Sequence, residues 1–131
     1  MEGTVDNKAR NPAINPGRRE SLTEYAVVYV TTSNLEEARK IAEAVVEERL
    51  AACANIYPEI RSIYWWQGKV EESGETALIL KTRRELVPKV VERVKQLHSY
   101  TVPCIITLPI AEGNREFLEW IRGETKTENQ A

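Results

Sequence analysis

Two long β-strand patterns on either side of a short turn signal constrain the fold of this chain more than any other feature. The strands Cys53–Trp66 and Lys69–Thr82 are rich in Ile, Val, Thr, Tyr and Trp, and Gln67–Gly68 lies between them. Each arm of about 14 residues would reach roughly 45 Å, whereas a domain of about 100 residues has a radius of gyration near 13 Å. The hairpin is therefore expected to extend beyond its own domain, with a turn type that Gln-Gly leaves open.

The far end of this hairpin carries three adjacent aromatic residues, Tyr64, Trp65 and Trp66. In water they would form an apolar patch of the kind that marks an interface. We therefore expect Tyr64, Trp65 and Trp66 to form an oligomer interface with another copy of the chain.

The pairing register between the two arms is expected to shift once, by one residue. Uninterrupted pairing would place Leu78 and Leu80 on the opposite face from Ile56. One extra residue at Ser73–Gly74, a glycine bulge, would bring Ile56 opposite Leu80 and gather the apolar residues on one face. Pro58 cannot donate to a ladder, so its strand should lie at an edge or be broken there.

Composition limits the class of protein. The chain has 131 residues, 42% of them hydrophobic, and a formal net charge of -2 with both signs interspersed, which favours one globular domain and disfavours nucleic-acid binding. No apolar run is long enough for a membrane span, and the N-terminus lacks the apolar segment of a secretory signal. We expect a cytoplasmic protein in which Cys53 and Cys104 remain separate reduced thiols.

Both ends of the chain are polar. Residues Met1–Thr23 have only isolated apolar residues and are predicted to be a disordered tail. An organellar transit peptide is the alternative, but Glu2, Asp6 and Glu20 are unusual in such segments. Residues Glu124–Ala131 are predicted to fray, which leaves residues 24–123 as the folded domain.

The first strand and helix follow from the pattern before the hairpin. Tyr25–Thr32 is a nearly continuous β-branched and aromatic run, typical of a central strand. Ser33 with Glu36 has the form of a capping box, followed by a helical apolar face. This helix is predicted to end at Arg49 or Leu50.

After the hairpin the pattern repeats. Thr82 with Glu85 again resembles a capping box, and Pro88 is compatible with a helix that starts near Arg84 or Glu85. Thr101–Ile110 is predicted to be the fourth strand. A last helix from Asn114, stopped by Gly123, is expected to bury four residues: Phe117, Leu118, Trp120 and Ile121.

The resulting order, β-α-β-β-α-β-α, is that of the α+β ferredoxin-like fold, the split βαβ sandwich, with sheet order 4-1-3-2. Both main helices then cover one face of the sheet, and only the short last helix is left for the other. This again indicates self-association.

Strong catalytic motifs are not found in the sequence. The segment Leu97–Cys104 offers an imidazole, a phenol and a thiol in His98, Tyr100 and Cys104, close to the end of a helix. A lone histidine in such a place more often binds helix-terminal carbonyls than a metal. No nucleophile has an evident base, so we expect a protein that is not an enzyme.

Taken together, these segments resemble the CutA divalent-cation tolerance family. The resemblance is carried by C-A-N-I-Y-P and S-I-Y-W-W-Q-G-K in the hairpin, L-I-L-K-T at its end, L-H-S-Y-T-V-P before the fourth strand and F-L-E-W-I in the last helix. It implies a ferredoxin-like homotrimer, similar in assembly to the PII signalling proteins, with a role in tolerance of or response to divalent metal ions such as copper.

Two residues depart from the family pattern H-P-Y-x-x-P-E. Ser99 replaces the proline and Cys104 replaces the glutamate, which exchanges a hard carboxylate for a soft thiol and favours copper(I) or zinc. The candidate metal ligands are His98, Cys104 and Cys53. Because the second and fourth strands are opposite edges, roughly 14 Å apart, the two thiols could meet only across a subunit boundary.

A small-ligand sensor of the PII type is the alternative function. Its inter-subunit cleft would use Lys81 as an anion contact and Tyr64, Trp65 and Tyr100 as walls. Lys81 is equally typical of a charged residue that protects a strand edge from aggregation.

Overall fold

The computed structural model describes residues 24–126. The predicted N-terminal tail and residues 127–131 lie outside the described residues. Between them are four strands and three α-helices, and a 3₁₀ turn, Arg84–Leu86, precedes the second helix. In chain order the elements are β1 Tyr25–Thr32, α1 Leu35–Glu47, β2 Cys53–Trp66, β3 Lys69–Arg83, α2 Val87–Leu97, β4 Ile105–Ile110 and α3 Arg115–Glu124.

The strands form one antiparallel sheet in the order β2-β3-β1-β4, which confirms the ferredoxin-like arrangement and places β2 and β4 at opposite edges. Helices α1 and α2 pack on one face of this sheet. The core between them consists of ten buried side chains: Val28, Val30, Ile41, Ala42, Val45, Ala51, Leu78, Leu80, Val90 and Val94. No helix in residues 24–126 is long and apolar enough to cross a membrane.

The β2–β3 hairpin is as long as predicted, and its turn is now defined. Gln67 has φ 51° and Gly68 has φ 80°. Positive φ at both central residues is the signature of a type I′ turn, whose twist matches that of the flanking strands. Since Gly68 has no Cβ, it adopts this backbone at no steric cost.

The ladder does slip once, but the predicted position was wrong. Gly74 pairs regularly with Arg61, and the register shifts between Tyr57 and Ile60 instead. The extra residue therefore belongs to β2, beside Pro58.

Proline chemistry explains the site of this bulge. Pro58 has no N–H to give to the ladder, so β2 breaks there, and its free carbonyl accepts a hydrogen bond from the Thr76 hydroxyl at 2.8 Å. As a result Ile56 faces Leu78 rather than Leu80. The apolar residues still gather on the helix-covered face.

Both predicted capping boxes were misplaced. The N-cap of α1 is Asn34, whose side chain accepts from the Glu37 backbone N–H at 2.8 Å, and the helix ends at Glu47 rather than Arg49 or Leu50. Thr82 is a buried strand residue whose hydroxyl donates to the Leu50 carbonyl at 2.6 Å. A side chain committed to the neighbouring loop cannot cap the next helix.

Pro88 does lie in the first turn of α2, as predicted, although the α-helix itself starts only at Val87 after the 3₁₀ turn. The fourth strand is shorter than predicted, because Thr101–Cys104 form a loop before it. Pro109 sits in this strand, which is an edge of the sheet.

The last helix starts after its Asn114 cap, as predicted, and runs one residue past Gly123. Of its four expected core residues, Ile121 is buried and Leu118 is partly buried, whereas Phe117 and Trp120 remain 41% and 42% exposed.

Fraying was predicted to begin at Glu124, but the chain is still packed against the domain at Thr125. Thr125 is 2% exposed, and the Arg83 guanidinium donates to its hydroxyl at 2.9 Å. Arg83 also binds the Arg122 carbonyl at 2.6 Å, so a buried arginine fixes the end of α3 to the sheet.

Candidate functional site at the root of the hairpin

A polar cluster lies where the hairpin leaves the body of the domain. Its members come from four parts of the chain: Glu37 from α1, Glu75 from β3, His98 and Tyr100 from the loop after α2, and Thr31 from β1. We call this the root cluster. The fold brings these residues together because β1, α2 and the outer half of the hairpin meet at one end of the sheet.

His98 is held by two hydrogen bonds. Its Nε2 lies 2.7 Å from the Thr31 carbonyl oxygen, and its Nδ1 lies 3.1 Å from the Tyr100 backbone nitrogen. Since the carbonyl accepts and the backbone N–H donates, Nε2 carries the proton and Nδ1 accepts, which defines a neutral imidazole. The side chain is fully buried, so in this arrangement neither ring nitrogen has a lone pair free for a metal.

Glu37 joins α1 to the same loop. One carboxylate oxygen accepts from the Ser33 backbone N–H and hydroxyl at 2.9 and 2.8 Å, and the other accepts from the Ser99 N–H at 2.6 Å. Burial opposes ionisation of this carboxyl, but the hydrogen bonds from Ser33 and Ser99 outweigh it and lower the pKa of Glu37 to about 2. The ionised carboxylate therefore holds the loop after α2 against the start of α1 by hydrogen bonds.

Glu75 joins the loop to the hairpin. Its carboxylate accepts from the Tyr100 hydroxyl at 2.8 Å and from the Ser62 hydroxyl at 2.6 Å. Burial of the phenol, together with the hydrogen bond to Glu75 and the negative charges nearby, raises the pKa of Tyr100 above its usual range. Tyr100 therefore stays a protonated donor.

The two predicted thiol ligands do not meet in one chain. Cys53 is half-buried at the start of β2, and Cys104 is exposed just before β4, on the opposite edge of the sheet. In residues 24–126 no group of three His, Cys, Asp or Glu side chains is placed to hold a metal ion. Metal binding by Cys53, Cys104 and His98 stays a prediction, and it requires a second copy of the chain.

The residues predicted to line the alternative ligand cleft also lie in different parts of the domain. Tyr64 binds Ser73 through its hydroxyl at 3.1 Å and lies near Tyr100, and Trp65 is 74% exposed. Lys81 is near the other end of β3, where its ammonium lies 5.6 Å from the centre of the Phe117 ring. Within one chain Lys81 is a contact of α3 and not a neighbour of the tyrosines.

Sequence reasoning missed Glu37, Glu75 and Arg83. Glu75 and Arg83 find their partners across long stretches of chain, which local patterns do not report. Glu37 had a local signal, the Ser33–Glu37 spacing, that the nearby Ser33–Glu36 pattern obscured.

These features define a class: a ferredoxin-like, PII-like α+β domain whose second and third strands extend as a hairpin, with a hydrogen-bonded polar cluster at the hairpin root. Residues 26–124 match the family described as CutA1 divalent ion tolerance protein. The chain belongs to this family.

Individual relatives agree with the assignment. The divalent-cation tolerance protein CutA of Thermus thermophilus is 59% identical over 99 residues, which cover 76% of this chain and 96% of the relative. The solved structure of a Thermus thermophilus protein of that name superposes with a TM-score of 0.76 at 57% identity, over 78% of this chain and 99% of that one. The solved structure of the periplasmic divalent cation tolerance protein CutA from Archaeoglobus fulgidus superposes with a TM-score of 0.76 at 46% identity, over 78% of this chain and 99% of that one.

Proposed function

We propose that this chain is a homotrimeric protein of divalent-metal tolerance that binds copper or a similar soft ion at sites shared between its copies. The family relation to divalent cations supports the metal part. The observation that carries the assembly part is the exposed apolar surface of the outer hairpin, residues 60–75.

The outer hairpin carries apolar side chains on both of its faces. Trp65 lies opposite Val70, and Ile63 shares their face, with exposures of 74%, 58% and 68%. Tyr64 and Trp66 point to the other face and are also exposed. A monomer would leave this cluster in water, whereas a neighbouring copy would bury it.

A second exposed apolar surface lies on the sheet face opposite α1 and α2. Ile106 and Leu108 of β4 are about half exposed, next to Tyr29 and Val27 of β1, and Tyr57 is exposed on β2. We call this the open face. Because α3 reaches only one end of it, through Tyr25 and Ile110, the rest has no cover among residues 24–126.

The two surfaces differ, so a hairpin of one copy that docks near the open face of the next makes a heterologous contact. Such contacts close into a ring when the rotation allows it. The resemblance to trimeric PII-type assemblies makes a three-fold ring the proposed state.

Metal binding follows from the assembly in this proposal. The donors of one chain do not converge, but edges β2 and β4 of neighbouring copies can approach each other at a subunit boundary. Thiols of Cys53 and Cys104 suit copper(I), and His98 would join them only by giving up one of its hydrogen bonds. We further propose that the protein is not an enzyme and that it is cytoplasmic; the free thiols of Cys53 and Cys104 suit a reducing compartment.

Truncation of the hairpin aromatics tests the trimer. Replacing Trp65 and Trp66 with Ala removes anchors worth about 2 kcal/mol or more each where they are fully buried. Sedimentation at micromolar concentration should show about three chains for the wild type and substantial loss of trimer for the double variant.

The matched control is Leu35→Ala, which truncates an exposed side chain on the helix side, where no contact between copies is proposed. A monomeric wild type with its Trp fluorescence already buried would show that the hairpin folds back on its own domain and would end the proposal.

Copper titration of Cys104→Ser and Cys53→Ser tests the metal site. Each substitution replaces a soft donor with a hard one at nearly constant volume, so copper(I) affinity should fall by an order of magnitude or more while the sedimentation profile stays unchanged. Magnesium serves as the control ion, and its affinity should be the same for the wild type and both variants. Equal copper affinity in all three proteins would remove these thiols from the proposal.

A further inference from the structure

The outer hairpin has little support from the sheet. Pairing between β1 and β3 ends with Thr32 opposite Thr76, so among the described residues the part of β3 before Thr76 has β2 as its sheet partner. We call residues 60–75 the ribbon. A two-stranded ribbon is marginally stable alone and twists strongly, so its direction depends on contacts outside its own ladder.

The ribbon also begins at a break in the ladder. The register shifts between Tyr57 and Ile60, and a bulge bends the strand that contains it. The Thr32 and Thr76 hydroxyls bind the carbonyls of Thr76 and Pro58 at 3.0 and 2.8 Å, which fixes the root but not the angle at which the ribbon leaves it.

Glu75 is the point where the ribbon meets the rest of the domain. One oxygen accepts from the Ser62 hydroxyl on the other strand of the ribbon, and the second accepts from the Tyr100 hydroxyl of the loop after α2. A single carboxylate thus connects both strands of the ribbon to the loop.

The loop itself is firmly held. Ser99 is bound by Glu37, and His98 is bound to Thr31, while the rings of His98 and Tyr100 lie 4.7 Å apart between their centroids. Tyr100 therefore has a fixed position relative to α1 and β1. A ribbon bound to Tyr100 takes its direction from the body of the domain.

From these contacts we infer that Glu75 and Tyr100 are positioning residues for assembly: their hydrogen bond aims the ribbon so that its apolar tip meets the neighbouring copy. This rests on the trimer proposed above. Without the bond, the ribbon samples several directions, and docking then has to select one of them at a cost in affinity.

The test is a double-mutant cycle on the trimer. Tyr100→Phe removes the donor hydroxyl, and Glu75→Gln replaces the charged acceptor with a neutral amide oxygen, which accepts more weakly. In sedimentation experiments each should raise the concentration at which the trimer half-dissociates by about tenfold. The double variant should be no weaker than Tyr100→Phe alone, because Glu75→Gln acts on a bond that Tyr100→Phe has already removed.

A matched control lies on the helix side of the domain. Glu48 forms an ion pair with Arg93 that does not touch the ribbon, so Glu48→Gln should change the midpoint less than about twofold. A shift as large as that of Glu75→Gln, or multiplicative effects in the double variant, would overturn the inference. Tyr100→Phe keeps the test decisive even where Glu75→Gln does not fold.

Failure of the trimer and failure of this inference are distinguishable. A wild-type trimer that is unaffected by Tyr100→Phe contradicts the positioning role and leaves the assembly standing. A monomeric wild type contradicts the proposed trimer, and amide hydrogen exchange then tests the positioning role of Tyr100. Tyr100→Phe should accelerate exchange in residues 60–75 but not in residues 24–56. Unchanged exchange in the ribbon would overturn the positioning role there too.

Discussion

At the scale of single residues, buried and half-buried polar side chains hold together parts of the chain that are far apart in sequence. Arg83 secures the end of α3, Glu75 ties the ribbon to a loop, and Glu37 ties that loop to α1. Of the predicted metal donors, His98 is hydrogen-bonded to a carbonyl, but to that of Thr31 in β1 and not to the helix-terminal carbonyls that its position suggested. Its ring nitrogens are occupied, which no local pattern of residues could show.

Glu37 should make stability depend on pH. Its pKa is about 2 in the folded protein, against an ordinary value of 4.5. A depressed pKa contributes stability that is fully present above pH 4.5 and is lost as the pH falls from there to about 2. Glu37→Gln should therefore lower the free energy of unfolding by about 2 kcal/mol at pH 7 and by much less near pH 2.

Urea unfolding of both proteins across this pH range is the measurement. Glu36→Gln is the control, because Glu36 is an exposed neighbour on the same helical turn and should cost less than about 0.5 kcal/mol. A constant difference between wild type and Glu37→Gln from pH 7 to pH 2 would show that the carboxylate charge is not what Ser33 and Ser99 stabilise.

At the scale of elements, the strands, helices and sheet order could be predicted because each depends on a periodic pattern. The residues at which the helices begin and at which the register of the β2–β3 ladder shifts could not be predicted. Gly74 looked like the bulge because glycine favours irregular backbone, yet the missing N–H of Pro58 decided its position. Asn34 and Ser33 are both good caps, and sequence alone does not choose between them.

The two glycines of the hairpin should respond differently to alanine. Gly68 has φ 80° in the turn, so Gly68→Ala should destabilise the protein by about 1 kcal/mol. A Cβ at Gly74 would lie 3.3 Å from Arg61 Nη1, the end of a flexible side chain, in a regular strand position. Gly74→Ala should therefore be nearly neutral.

Thermal unfolding of the two variants checks this contrast, each serving as the other's control. A large loss for Gly74→Ala and none for Gly68→Ala would restore the bulge that the sequence suggested at Ser73–Gly74 and would contradict the observed turn.

At the scale of the whole molecule, residues 24–126 cover one face of the sheet with their own helices and leave the other face largely open. The sequence indicated this imbalance, since only a short last helix remained for the second face. Its extent was not predictable, because Phe117 and Trp120 were expected in the core and are instead about 40% exposed beside the open face. The molecule thus presents two unequal apolar surfaces, the hairpin tip and the open face.

A charge placed on the open face should separate assembly from folding. Leu108 is 53% exposed in one chain, so Leu108→Asp removes little of the monomer's core. Buried between copies, the new carboxylate would lack a partner and would oppose association, and the trimer midpoint should rise by at least about tenfold. Leu35→Asp is the matched control, a leucine with 43% exposure on the helix side of the domain. Sedimentation measures the assembly and circular dichroism measures the folding of both variants. If Leu108→Asp is folded and still sediments as the wild type, the open face is not buried between copies. The hairpin tip alone would then hold the assembly.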